Sequence, residues 1–137
     1  MLGYGGSVIE GDPTVANEET ASVDQLADDV FDAIRLIKEV TRGARLPAPL
    51  VYPVLGDLQG SARLLAVALT QLATGLGRSL REFEVYESGG GEPSMSVAVS
   101  RDHLARASGL AVQLADELEI AQSAIAHQRV RREYPVD

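Results

Sequence analysis

The sequence predicts an all-α protein, an antiparallel three-helix bundle whose second and third helices are long. Aromatic residues make up only 4% of the chain. The apolar mass therefore comes from Leu, Ala, Val and Ile, and Leu and Ala favour helices. Three segments repeat apolar residues at alternating steps of three and four, which is the period of one helix face.

The first predicted helix covers residues 22–42. Ser22 and Gln25 have the spacing of a capping box, in which each side chain pairs with a backbone N–H of the first helical turn. Gly43 can adopt the left-handed conformation that commonly ends helices. The sequence therefore predicts a helix that begins at a capping box and ends at a glycine.

The second predicted helix covers residues 53–87 and begins at Pro53, where the missing N–H costs nothing. The prolines just before it predict a stiff extended connector. Gly75 and Gly77 each weaken the helix by about 1 kcal/mol relative to Ala, so a kink or a break can form there.

The third predicted helix covers residues 94–130. A small β-hairpin at 82–100 is the alternative for its start, because apolar residues alternate with polar ones on both sides of the Gly-rich stretch. An isolated two-stranded ribbon is only marginally stable, so the helix is preferred. The predicted organisation is a flexible, disordered lead-in at 1–20, one helical-bundle domain at 21–132 and a flexible tail at 133–137.

The apolar stripes of the second and third helices predict a helix-packing interface. A Walker-type phosphate loop needs four residues between its glycines and a Lys after them. Gly56 and Gly60 are separated by three residues, with no Lys following, so we expect them to allow close helix packing instead. The predicted interface residues are Gly56, Leu58, Gly60, Leu65, Leu69, Leu72, Leu114 and Leu118.

The negative charge is concentrated near the N-terminus. The chain carries a net charge of −8, and nine acidic residues against two basic ones stand in residues 1–40. Asp24, Asp28 and Asp32 share one helix face but lack the glycine turn and bidentate Glu of a calcium loop. A solvated face explains them. If the face has a role, the prediction is docking of a basic partner surface.

The basic residues offer one cluster, Arg129, Arg131 and Arg132. Phosphate contact by these arginines is the alternative function, although the net negative charge makes nucleic-acid binding unfavourable. Arginines near a helix C-terminus also pair with its carbonyls. His103 and His127 are too far apart along one helix to share a metal ion.

Composition excludes several chemistries. The chain has no cysteine, which removes thiol catalysis, disulfides and thiolate metal sites. The first residues do not form a secretory signal and no apolar run is long enough for a bilayer, so we expect a cytoplasmic protein. No catalytic constellation appears at helical spacing. We therefore expect a non-enzymatic protein without cofactor or metal.

The short first helix would cover only part of the two long ones. The apolar seam left open predicts a homo-oligomer, with a dimer favoured, or a protein partner. The expected function is an assembly or adaptor module that acts through helix packing, and the alternative is a nucleic-acid-associated accessory protein.

The segments "LPAPLVYPVLGDLQ", "GRSLREFEVYESGGGEPSMSVAVSRDHL" and "LEIAQSAIAHQR" resemble a group of small helical proteins from actinomycetes. These proteins are often found among the cargo of integrated mobile elements, and their function is unknown. The resemblance covers roughly Ala44 to Arg132. It implies a cytoplasmic helical protein and assigns no catalytic or binding residue.

Overall fold

A computed structural model describes residues 13–132, which form three helices and no strand. The helices are α1 (Pro13–Thr41), α2 (Ala48–Glu82) and α3 (Pro93–Ala124). This confirms the predicted all-α class and the two long helices. The chain divides between Arg45 and Leu46 into one unit with α1 and another with α2 and α3. Residues 1–12 of the predicted lead-in and the predicted tail at 133–137 lie outside the described residues, whereas residues 13–20 of that lead-in belong to α1.

Helix α1 begins earlier than predicted. Pro13 is its first residue, a position that suits proline because the first turn leaves its N–H groups unpaired. The capping box is therefore wrong: Ser22 lies inside the helix, and the Gln25 amide donates to Asp29 Oδ1 at 2.8 Å instead. The predicted C-terminus is confirmed, because Gly43 follows the helix with φ 68°.

Helix α2 also begins earlier than predicted, at Ala48, so the expected extended connector is largely helical. Pro47 is the N-cap residue and Pro49 occupies the second helical position, where no backbone N–H is required. Pro53 lies inside the helix rather than at its start. The helix continues through Gly75 and Gly77 and ends at Glu82, five residues before the predicted end.

The alternative hairpin at 82–100 does not form. Residues 83–92 connect the two helices, and Gly90 takes a left-handed φ of 86° in that connection. The residues expected in the second strand belong to α3, where Val97 is buried. The helix is more stable here because it buries this side chain, whereas an isolated hairpin would have little to pack against.

Helix α3 ends at Ala124, earlier than the predicted end near residue 130. At its end the backbone hydrogen bonds shorten to a spacing of three residues. The Ala126 N–H donates to the Ser123 carbonyl, and the Gln128 N–H donates to the Ile125 carbonyl. The predicted arginine cluster therefore follows the helix instead of forming its last turn.

Helices α2 and α3 pack antiparallel, forming the α2–α3 hairpin. Residues early in α2 contact residues late in α3, as in the bond between Gln122 and Tyr52, and the end of α2 lies beside the start of α3, as at Gly77 and Arg101. The most buried residues are nearly all alanines: Ala48, Ala62 and Ala66 of α2 and Val97, Ala111 and Ala115 of α3. Such small side chains let the helix axes approach closely.

Candidate assembly interface

One flank of the α2–α3 hairpin is closed by polar contacts. The Arg63 guanidinium lies 3.1 Å from Asp116 Oδ1 and 3.0 Å from Glu119 Oε1. All three side chains are substantially exposed, so each ion pair stabilises the hairpin by about 1 kcal/mol at most. Both pairs join α2 to α3 at the same level of the hairpin.

Hydroxyl groups continue this polar flank beside the alanine seam. The Ser108 hydroxyl donates to the Ala66 carbonyl at 2.8 Å, and its oxygen lies 3.3 Å from the Thr70 hydroxyl oxygen. No buried side-chain N or O atom lacks a hydrogen-bond partner in the part of the chain that the structure describes. The buried polar side-chain atoms of this flank are therefore all paired.

Two glycines of α2 make room for long polar side chains of α3. A Cβ at Gly56 would lie 2.7 Å from Gln122 Nε2, and that amide donates to the Tyr52 carbonyl at 3.0 Å. A Cβ at Gly77 would lie 2.8 Å from the Arg101 guanidinium. The close approach at Gly56 is therefore made by a side chain of α3 and not by its backbone. The close approach at Gly77 was not predicted from the sequence.

A shallow, open depression lies on the polar flank next to Arg101. It is lined by Thr70, Ala73, Thr74, Ala98, Arg101, Asp102 and Ala105. Asp102 accepts a hydrogen bond from Arg106 at 3.1 Å, which is the surface pair expected from their spacing. The depression brings one cation, one carboxylate and two threonine hydroxyls together, and its lining residues include no histidine.

The opposite flank of the hairpin is apolar. Successive helix residues are rotated by about 100°, so two positions separate opposite sides of a helix. Leu65 follows Arg63 by two residues, and Leu114 precedes Asp116 by two, which places both leucines opposite the ion pairs. The apolar flank comprises Val54, Leu58, Ser61, Leu65, Ala68, Leu72 and Gly75 of α2 and Val99, Leu110, Leu114 and Ala121 of α3.

Large side chains of the apolar flank are open to solvent. Leu65 is 47% exposed, Leu72 53%, Leu110 63% and Leu114 51%. Single exposed leucines are common, whereas a row of them on two neighbouring helices is typical of an interaction surface. Among residues 46–132, nothing covers these side chains.

The predicted interface residues fall into three groups. Leu58, Leu69 and Leu118 are half-buried at the edge of the seam, whereas Leu65, Leu72 and Leu114 face outward on the apolar flank. Gly56 lies against Gln122, and a Cβ at Gly60 would meet nothing within 4 Å.

Sequence reasoning missed most of the alanines that form the seam. Both helices are rotated so that Ala66 and Ala115 point inward, although the periodic stripe was centred on the leucines. The signal that was available is the pair of small residues four positions apart on each helix, Ala62 with Ala66 and Ala111 with Ala115.

Helix α1 carries its own apolar stripe. Its exposed large apolar residues are Val23, Leu26, Val30, Phe31, Ile34, Leu36, Ile37 and Val40. Asp24 and Asp28 are exposed, and Asp32 pairs with Arg35 at 3.4 Å within the helix. Over the described range, no group of three or more metal-binding side chains forms, and this includes the three aspartates.

The arginine cluster lies beyond α3 and is exposed. The Arg129 guanidinium donates to the Ala126 carbonyl at 3.1 Å and to the Gln128 carbonyl at 2.7 Å. These carbonyls belong to the turn that follows α3, and not to the last helical turn with which arginine pairing was expected. Arg131 and Arg132 form no such bond in the described range. His103 contacts Arg106, and His127 lies in the terminal turn.

Comparisons with known proteins do not identify this chain. No family model matches it, and no curated protein or solved structure matches it significantly. Within residues 13–132, no helix is both long and apolar enough to span a bilayer. The candidate site therefore rests on the geometry of the hairpin.

Proposed function

We propose that this chain is a non-enzymatic helical assembly module that acts by packing its apolar flank against another helical surface. The observation that supports this most is the flank itself, with Leu65, Leu72, Leu110 and Leu114 all about half exposed or more. Covering such side chains is favourable by roughly 25 cal/mol for each Å² of apolar surface removed from water. The polar side carries fewer exposed large apolar residues, Val67 and Val112, next to the ion pairs.

A homo-oligomer, with a dimer favoured, is the form of assembly that we propose. The expected length mismatch no longer supports it, because α1 has 29 residues against 35 and 32 in the two long helices. The dimer rests instead on the uncovered flank. A basic protein partner on Asp24 and Asp28 is the other form, and it would use α1 rather than the flank.

The test compares two neighbouring apolar residues by light scattering at micromolar concentration. Leu65→Glu places a charge on the apolar flank, whereas Val67→Glu places the same charge on the polar side of α2, where Val67 is 54% exposed. We expect a dimer mass for the wild type and for Val67→Glu, and a monomer mass for Leu65→Glu. A monomer mass for the wild type would contradict self-assembly.

The alternative is a nucleic-acid-associated protein that uses Arg129, Arg131 and Arg132. Their exposure beyond α3 favours it, but Arg129 already donates to two carbonyls and the chain carries a net charge of −8. An electrophoretic shift at low salt that disappears in the triple Ala variant would support this alternative. No shift in either protein would exclude it.

The resemblance to small helical actinomycete proteins and a cytoplasmic location are part of the same proposal. Both agree with an assembly module made of helices, and neither names a partner. Co-purification from the native host, followed by identification of the bound protein and of its binding surface, tests them together.

A further inference from the structure

We propose that the apolar flank is covered by the same flank of a second copy, with the two α2 helices antiparallel across a twofold axis. This inference rests on the proposed assembly function and adds its register. The axis crosses α2 between Ala66 and Val67 and α3 between Ala111 and Val112. Two independent features of the hairpin place the axis at this level.

The first feature is an alternation of leucines and small residues along α2. The series reads Leu58, Ser61, Leu65, Ala68, Leu72 and Gly75. In the second copy this series runs in the opposite direction about the same centre. Each leucine then lies beside a small residue of the other copy: Leu58 beside Gly75, Leu65 beside Ala68 and Leu72 beside Ser61. Such complementary sizes are what an isologous interface between antiparallel helices requires.

Gly75 is the member of this series that the single chain does not explain. It lies inside α2, where glycine is about 1 kcal/mol less favourable than alanine. A Cβ at Gly75 would meet nothing within 4 Å, unlike one at Gly56 or Gly77, where α3 side chains fill the space. In the proposed pairing, Leu58 of the second copy occupies this space.

The second feature is a pair of opposite charges on α3. Arg106 and Glu117 are both exposed and lie on the outer edge of the apolar flank. An axis between Ala111 and Val112 brings each Arg106 next to the Glu117 of the second copy. Arg106 also pairs with Asp102 in its own helix at 3.1 Å, and Glu117 has no hydrogen-bond partner within residues 22–132.

The contacts of the hairpin show that these two centres lie at the same height. Ser108 bonds to the Ala66 carbonyl, and Arg63 pairs with Asp116. The middle of the α2 series therefore lies opposite the middle of the Arg106–Glu117 pair. One twofold axis satisfies the apolar alternation and the charge pair together.

The area of the flank is sufficient for a stable dimer. From Val54 to Leu76 the flank is roughly 33 Å long, and two packed helices are roughly 18 Å wide. Two such faces bury about 1,200 Å² in total, which is at the lower end for stable interfaces. The pairing therefore predicts a dimer of moderate rather than very high affinity.

The size test uses two glycines that both have open space in the single chain. Gly75→Leu would collide with Leu58 of the second copy, whereas Gly60→Leu lies on the back of α2. We expect the dimer Kd to rise by at least about tenfold for Gly75→Leu, and by less than about twofold for Gly60→Leu. Helix content from circular dichroism checks that both variants fold.

The charge test reverses one pair. Arg106→Glu and Glu117→Arg each place like charges together at two symmetric positions, so each should weaken the dimer severalfold at low salt. The double variant restores opposite charges and should return the Kd to near the wild-type value. Rescue in the double variant cannot come from the Asp102–Arg106 pair within α3, because the carboxylate introduced at position 106 repels Asp102 in that variant as well.

The outcomes separate the register from the assembly function. A dimer that Leu65→Glu disrupts but that tolerates Gly75→Leu and shows no charge rescue overturns this register and keeps the proposed function. A wild-type monomer across the micromolar range overturns both. A weaker dimer for Gly75→Leu, together with recovery of the Kd in the double charge variant, establishes the pairing.

Discussion

The two flanks of the α2–α3 hairpin border the same alanine seam but differ in how they are satisfied. On the polar flank, Arg63 pairs with two carboxylates of α3, and Ser108 bonds to the Ala66 carbonyl. On the apolar flank, Leu65 and Leu114 face solvent. The hairpin thus makes its polar contacts internally and leaves the large side chains of the apolar flank exposed.

The largest expected effect comes from the seam that separates the flanks. Ala115 is fully buried, so Ala115→Leu would force α2 and α3 apart and lower the free energy of unfolding by roughly 1–3 kcal/mol or more. Urea unfolding measures this change. Ala105→Leu is the matched control because Ala105 is exposed on the same helix. Equal stability of the two variants would contradict the seam.

The next effect concerns the apolar flank on α3. Leu114→Glu should raise the dimer Kd by at least about tenfold, because a buried interface does not tolerate an unpaired charge. Ile120→Glu is the control: Ile120 is 62% exposed and lies on the back of α3. Sedimentation equilibrium of both variants measures the Kd. Similar weakening by both would show that exposure alone, and not the flank, matters.

A smaller effect is expected where Gln122 crosses Gly56. Gln122→Ala removes the bond to the Tyr52 carbonyl and should lower the free energy of unfolding by about 1 kcal/mol. Gly56→Ala should be close to neutral alone, because gained helix propensity offsets the displaced amide. In the Gln122→Ala background, Gly56→Ala should stabilise. Additive effects in this double-mutant cycle would show that the two residues are independent.

The smallest effect is expected for the exposed ion pairs of the polar flank. Arg63→Ala should lower the free energy of unfolding by about 1 kcal/mol or less, and added salt should reduce the difference from the wild type. The dimer Kd should not change. Thermal unfolding at low and high salt checks the first point, and a weaker dimer would show that the polar flank also takes part in assembly.

The sequence was sufficient to predict the helices, because leucine and alanine periodicity is a local property. It was not sufficient to predict how they are rotated. The stripes centred on Leu65 and Leu114 predicted which side is apolar, but Ala66 and Ala115 are the residues that turn inward. Packing between two helices selects the small residues, and this choice depends on both helices at once.

Local sequence patterns also did not predict where α1 and α2 begin. The capping-box spacing at Ser22 and the proline at position 53 are each compatible with a helix start, but the chain is already helical at both residues. Pro13 and Pro49, which fit the first two helical positions, mark the true starts. The role of Gln122 over Gly56 could not be predicted, because it depends on the register between α2 and α3.

The central claim is that the apolar flank is covered by a second copy and the polar side of α2 is not. Since the chain has no cysteine, single thiols at Leu72→Cys and Val67→Cys can report on cover through their labelling rates. We predict that the rate at position 72 falls as protein concentration rises through the micromolar range, while the rate at position 67 stays constant. Rates that do not depend on concentration at either position would contradict the claim.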